Sequence, residues 1–86
     1  MARAQKELNF RIMASNLDEA IEELVRIRAK ISTGKLVEAE LQVNLCHAYH
    51  HLNFVWNIRH VSTDKYAHLT DAQFKRWGRY PSDIED

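Results

Sequence analysis

The sequence predicts an all-α protein built around a hairpin of two long helices. Three observations predict this fold class. The 86 residues include two glycines and one proline, so few positions interrupt a helix. Hydrophobic residues make up 45% of the chain, as in globular proteins. Residues 36–61 form one stretch without glycine or proline. We therefore predict a single helical domain over residues 1–86, with helices at about 3–32, 36–61 and 71–77.

The first helix is predicted from apolar residues that recur at alternating steps of three and four, which is the spacing of a heptad seam. The members of this seam are Phe10, Met13, Leu17, Ala20, Leu24, Ile27 and Ile31. Ser15 or Asn16 could instead cap a new helix and leave residues 8–12 as a short strand. Because the seam keeps its phase across Ser15, we favour one unbroken helix.

Residues 32–35 predict the turn of the hairpin, since Gly34 can take the left-handed conformation that ends a helix. A short turn makes the two helices antiparallel neighbours. The second helix has a seam of its own: Val37, Leu41, Asn44, Ala48, His51, Val55 and Ile58. When Ile31 is paired with Val37, the two seams match layer by layer and His51 faces Leu17.

The second helix carries a further apolar stripe that a two-helix hairpin cannot bury. Its members are Leu45, Leu52 and Val55, and Phe54 and Trp56 flank them. We expect two hairpins to cover these surfaces mutually, as a homodimer whose core is a four-helix bundle. The alternative cover is the aromatic C-terminal segment, where Thr70 predicts a helix start and Gly78 a helix end.

Composition restricts the partners and the compartment. Lys plus Arg equals Asp plus Glu at 12 each, so no global field favours nucleic acid or an anionic membrane. No apolar run approaches the roughly 20 residues of a membrane span, and the first ten residues lack the apolar segment of a signal peptide. Cys46 is the single cysteine, which excludes a disulfide within the chain. We expect a cytoplasmic protein.

Histidines supply the candidate metal ligands. His47 and His51 are four residues apart and therefore lie on one helix face, as two imidazoles sharing an ion must. His50 and Glu40 complete the candidate set, and Glu23 of the first helix lies near the same level. Helical bundles hold zinc or iron with imidazoles and carboxylates in this way. The chain has no Glu-x-x-His pair, however, so we interpret the histidines as packing residues and keep a divalent transition metal as the alternative.

Two further clusters are candidate sites. Cys46 and His50, also four apart, could form a nucleophile and its base. A thiol in the middle of a helix has no free backbone N–H beside it for an oxyanion, so we identify no catalytic site. We interpret the acidic group Glu19, Glu22 and Glu23 as a solvated face.

These observations favour a small structural or partner-binding helical protein that acts as a homo-oligomer. A metal-binding bundle is the first alternative. Weak nucleic-acid binding is the second, because basic and aromatic residues interleave near the C-terminus, as they do in single-strand binders. These residues are Lys75, Arg76, Trp77, Arg79 and Tyr80.

Overall fold

The computed structural model describes residues 7–85, and this part of the chain folds into four helices without a strand. The helices are α1 (Phe10–Thr33), α2 (Glu38–Asn57), α3 (Thr63–Ala67) and α4 (Asp71–Trp77). The predicted all-α class, with two long packed helices and a short C-terminal helix, is confirmed. None of the helices in the described part is long and apolar enough to cross a membrane.

Helix α1 passes through Ser15 without a break, as predicted, but it begins later than expected. The predicted start at about residue 3 lies outside the described residues, and residues 7–9 are not helical. Asn9 is the N-cap, because its side-chain oxygen accepts a hydrogen bond from the backbone N–H of Ile12. Its own N–H donates to the carbonyl of Arg59 at 2.7 Å. The start of α1 is therefore fixed to the chain beyond α2.

The hairpin turn forms where the sequence predicts it. Gly34 has φ 69°, in the left-handed region, and its N–H donates to the carbonyl of Ile31 at 3.0 Å. The ammonium of Lys30 pairs with the carboxylate of Glu40 across the turn. Glu38 and Glu40 occupy the first turn of α2, where the helix dipole favours negative charge.

The predicted seam of α1 is correct at Ala20 and Ile27, which are buried, but the rotation of the helix about its axis differs from the prediction. The residues of α1 that are buried are Ile12, Asn16, Ala20, Glu23 and Ile27, whereas Phe10, Leu17, Leu24 and Ile31 are exposed. The physical reason lies in α2, which presents His47 and His51 to α1. Imidazoles packed against leucines would lose their hydrogen bonds, so α1 turns its polar residues toward them. The register along the axis is close to the prediction, since His51 meets Asn16 instead of Leu17.

The apolar core lies at the open end of the hairpin. Ile12 of α1 packs there with Phe54 and Ile58, and all three are buried. Partly buried residues of the returning chain complete the cluster, namely Val61, Tyr66, Leu69 and Trp77. Helix α3 was not predicted. Ser62 is its N-cap, because its side chain accepts a hydrogen bond from the backbone N–H of Lys65.

The C-terminal segment returns along α2. The predicted start and end of its helix are confirmed, with a capping box between Thr70 and Gln73 and with Gly78 at the C-cap. Asn53 donates to the carbonyl of Gly78 at 2.8 Å, and Asn57 donates to the carbonyl of Trp77 at 2.7 Å. The side of α2 that carries Asn53 and Asn57 is therefore the surface on which this segment is held.

Candidate functional site

A buried carboxylate lies in the middle of the interface between α1 and α2. Glu23 is 5% exposed, and its Oε2 is 2.8 Å from Nδ1 of His47 on α2. The other oxygen, Oε1, pairs with the guanidinium of Arg26, less than one turn further along α1. The interpretation of Glu23 as part of a solvated acidic face is therefore wrong. A buried carboxylate requires such partners for its charge and its lone pairs.

Asn16 is the second buried polar residue of α1, two turns before Glu23, and it is 1% exposed. Its amide nitrogen donates to the backbone carbonyl of Ile12 at 2.9 Å. Its amide oxygen lies 2.9 Å from Nδ1 of His51. The hydroxyl of Tyr66 lies within 3.3 Å of both amide atoms. Because a carbonyl only accepts hydrogen bonds, the contact with Ile12 fixes which way the amide points.

The two histidines join these groups into one chain of contacts. Nε2 of His47 and Nε2 of His51 are 3.1 Å apart, and the ring centroids are separated by 4.6 Å. We call Glu23, His47, His51 and Asn16 the histidine network. It is continuous from Glu23 to Asn16 across the helix interface, and the side chain of His47 is 49% exposed, so the network opens to solvent at that point.

The protonation of the network follows from its partners. The Oδ1 of Asn16 is an acceptor, so Nδ1 of His51 must carry a hydrogen. Glu23 is a carboxylate paired with Arg26, so Nδ1 of His47 carries one as well. Two neutral rings with these tautomers present the lone pairs of their Nε2 atoms to each other.

Burial lowers the pKa of His51 below its ordinary value, and the neighbouring His47 lowers it further, while the charge of Glu19 opposes this in part. The neighbour of His51 is an amide, that of Asn16, and not the expected Leu17. Neutral His51 is the form that the folded protein favours.

His50 lies on another side of α2 and does not join the network. Its ring packs against Phe54 and Phe74, with centroid distances of 4.6 Å in both cases. Burial is the main cause that lowers the pKa of His50, and His51 and His47 add to it. Its Nε2 is buried and has no hydrogen-bond partner in the described chain. A Cβ added to Gly78 would lie 2.3 Å from Cε1 of His50, so only glycine fits at this contact.

The predicted metal ligands are therefore divided between three places. His47 and His51 come together in the histidine network. His50 packs under the C-terminal segment, and Glu40 pairs with Lys30 near the turn. Over residues 7–85, no group of three His, Cys, Asp or Glu side chains is arranged to hold an ion.

The other predicted clusters take different environments. Cys46 is exposed and lines a shallow groove of about 520 Å³, together with Gln42, Val43, His47, His50 and Phe74. In the basic and aromatic segment, the guanidinium of Arg76 lies 5.9 Å from the ring of Trp77. Trp77 is partly buried against the core, while Tyr80 is exposed.

Sequence reasoning missed two members of the site, Asn16 and Tyr66. The signal for Asn16 was present, because steps of three and four join Ile12, Asn16, Ala20, Glu23 and Ile27 into a second stripe of α1. Tyr66 reaches the network only because α3 folds back against α1, which no local pattern indicates.

Comparisons with known proteins give no further guide to the site. No family model matches the chain, no curated protein matches it in sequence, and no solved structure matches its fold.

Proposed function

We propose that this chain is a partner-binding helical protein that works as a homo-oligomer, with a second copy of itself as the first partner. The observation that carries the proposal is an apolar stripe on α1 that the hairpin does not use. Its large members are exposed: Phe10, Leu17, Ile21, Leu24 and Ile31. Ala14 and Arg28 fill the remaining positions of the same heptad pattern. Such a stripe is typical of a helix that packs against another helix.

Helix α2 contributes a second stripe to the same face. Leu41, Leu45 and Leu52 follow heptad spacing, and each is exposed or partly exposed. An α-helix turns by about 100° per residue. Each stripe is therefore rotated about the axis of its own helix, by roughly a quarter turn or slightly more, from the side that contacts the other helix. Because the helices are antiparallel, these rotations point to the same side of the hairpin. The C-terminal segment, held by Asn53 and Asn57, lies on another side of α2 and leaves this face uncovered.

A second copy fits this face better than an unrelated partner does. The face contains two antiparallel helices, so a twofold axis places equivalent stripes against each other and forms a four-helix bundle. It extends over about 30 Å along α1 and about 20 Å across both helices. The resulting area, about 600 Å² per copy, approaches the roughly 800 Å² per partner of a stable interface. Arg28 is the one charged residue in the α1 stripe.

The test compares two neighbouring residues of α1. Leu24 belongs to the stripe and is 43% exposed, whereas Val25 lies about 100° away and is 61% exposed. We expect the parent to sediment as a dimer at micromolar concentration, and Val25→Lys to do the same. Leu24→Lys should sediment as a monomer, because it places a charge in the centre of the apolar face.

Circular dichroism of each variant confirms that the helices are kept. A parent that remains monomeric at micromolar concentration would contradict the proposal. So would a Leu24→Lys variant that dimerises as well as Val25→Lys does.

A further inference from the structure

The two Nε2 atoms of the histidine network form an arrangement that neither packing nor self-association requires. They lie 3.1 Å apart, and both Nδ1 atoms are engaged by acceptors, Glu23 for His47 and Asn16 for His51. In its neutral form each ring therefore has its remaining lone pair on Nε2, the atom that lies 3.1 Å from Nε2 of the other ring. Two lone pairs at this distance repel each other unless an electron-pair acceptor lies between them.

A proton and a metal ion are the two acceptors to consider. A proton shared by the rings would make the pair cationic. A proton and a metal ion would both bring positive charge to the pair, and the carboxylate of Glu23 beside His47 favours either of them. A transition-metal ion needs no such protonation, since the neutral imidazole is its ligand.

The distance between the two nitrogen atoms also suits a metal ion. Zinc binds imidazole nitrogen at about 2.0–2.1 Å, so two such nitrogens on one ion are about 2.9 Å apart at a right angle and about 3.4 Å apart at the tetrahedral angle. The observed 3.1 Å lies between these values. The spacing of four residues on one helix keeps both rings on the same side of α2.

The surroundings match those of histidines that ligate metals. Such histidines almost always donate their other ring N–H to a carboxylate, a carbonyl or water, which fixes the tautomer and makes the ligand more basic. Glu23 does this for His47 at 2.8 Å, and the amide oxygen of Asn16 does it for His51 at 2.9 Å. Both acceptors are buried and held in place by further contacts, with Arg26 and with the Ile12 carbonyl.

We propose that His47 and His51 bind one divalent transition-metal ion through their Nε2 atoms, with Glu23 and Asn16 as positioning residues. Imidazole donors suit zinc, copper and nickel and disfavour magnesium and calcium. Over residues 7–85 no third His, Cys, Asp or Glu joins the pair, so the remaining coordination positions take water or the donor atom of a ligand. The exposure of His47 gives the ion access from solvent.

This site is independent of the proposed self-association. His47 lies about 140° around α2 from the stripe of Leu41, Leu45 and Leu52. A variant that abolishes zinc binding should therefore leave the dimer intact, and Leu24→Lys should leave zinc binding intact. Failure of one proposal can be distinguished from failure of the other.

The experiment is calorimetric titration of chelator-treated protein with zinc chloride near neutral pH, with magnesium chloride as the second probe. We expect one zinc per chain and no heat from magnesium. His47→Gln and His51→Gln should each lose the zinc signal. The matched control is His68→Gln, since His68 is a solvent-exposed histidine, with 77% of its side chain accessible, and it should bind zinc like the parent.

Glu23→Gln tests the positioning role, because glutamine keeps an acceptor oxygen and removes the negative charge. We expect zinc affinity to fall by about 10- to 100-fold, as is usual when such a partner of a metal-binding histidine is changed. Nitrogen-15 NMR of the imidazoles adds a signature that a packing role would not give. Zinc should shift the Nε2 signals of His47 and His51 and leave both Nδ1 atoms protonated.

Three results would overturn the proposal. They are a parent protein that binds no zinc, a His47→Gln variant that binds it as the parent does, and zinc-induced shifts at His68 in place of His47 and His51.

Discussion

The two halves of the hairpin interface are built from different chemistry. At the open end, the apolar core of Ile12, Phe54 and Ile58 is buried. Nearer the turn, the histidine network occupies the interface, and the buried apolar residues of this half are Ala20, Ala48 and Ile27. One half is held by hydrophobic burial and the other by hydrogen bonds between buried polar groups.

The difference shows that stability and register have separate sources in this molecule. Apolar side chains pack with little dependence on which partner they meet, so the core stabilises the hairpin without fixing its alignment strictly. The histidine network requires Glu23 opposite His47 and Asn16 opposite His51. A slip of one turn would leave these groups buried without partners, which costs free energy for each of them.

The largest effect is expected at the apolar end. Phe54→Ala should lower the free energy of unfolding by about 3–5 kcal/mol, because Phe54 is 2% exposed and its removal leaves a cavity. Urea unfolding followed by circular dichroism measures the change. Phe74→Ala is the matched control. Because Phe74 is 50% exposed, this substitution should lower the free energy of unfolding clearly less. Equal losses in the two variants would mean that the core is not centred on Phe54.

A smaller loss is expected from the polar half. Asn16→Ala removes the acceptor of His51 and a partner of Tyr66, so we expect a loss of about 1–3 kcal/mol in the free energy of unfolding. Tyr66→Phe removes one hydroxyl and should cost about 1 kcal/mol.

The double variant with Asn16→Ala and Tyr66→Phe should lose less free energy of unfolding than the two single variants lose in sum, because both residues belong to one set of contacts. Strict additivity, or an unchanged stability of Asn16→Ala, would show that the network does not form in solution.

Local patterns predicted the helices well because each signal is contained in a few neighbouring residues. Gly34 ends α1 in the left-handed conformation, and Thr70 and Gly78 bound α4 as expected.

The rotation of α1 could not be predicted in the same way. This helix carries two stripes with heptad-like spacing, and the more apolar one, with Leu17 and Leu24, is the one left exposed. Counting apolar residues favours that stripe, whereas the hydrogen-bonding needs of α2 decide between them.

The candidate site was predictable in part. The spacing of His47 and His51 placed both rings on one face, and they do meet. Glu40 was assigned because it extends the histidine stripe of α2 toward the turn, but it pairs with Lys30 across the turn. Glu23 of the other helix was expected near the level of His47, and the two do meet. The contact of Asn16 with His51 depends on the rotation of α1, which the sequence pattern left open.

The smallest expected effect concerns His50, whose ring packs on Phe54 and Phe74 under the C-terminal segment. Burial, and then the neighbouring His51 and His47, lower its pKa. An imidazole in the unfolded chain has a pKa of about 6.5. Below that pH, His50 of the unfolded state binds a proton that His50 of the folded state binds more weakly. The contribution of His50 to the free energy of unfolding is therefore fully present above the pKa that this residue has in the unfolded chain. It is lost as the pH falls from that pKa toward the lower pKa of the folded state. The pKa of His51 is shifted in the same direction and adds to the loss.

The measurement compares thermal unfolding midpoints at about pH 7.5 and about pH 5.5, on either side of the unperturbed imidazole pKa, with chelator present so that no metal competes with protons. We expect the midpoint of the parent to fall on acidification and that of His50→Gln to fall less. His68→Gln should respond like the parent, because His68 is largely exposed. If His50→Gln and the parent respond alike, His50 is solvated. The C-terminal segment would then not pack on α2 through Phe74 and Gly78, and the stability of the hairpin would depend on its apolar end and on the histidine network alone.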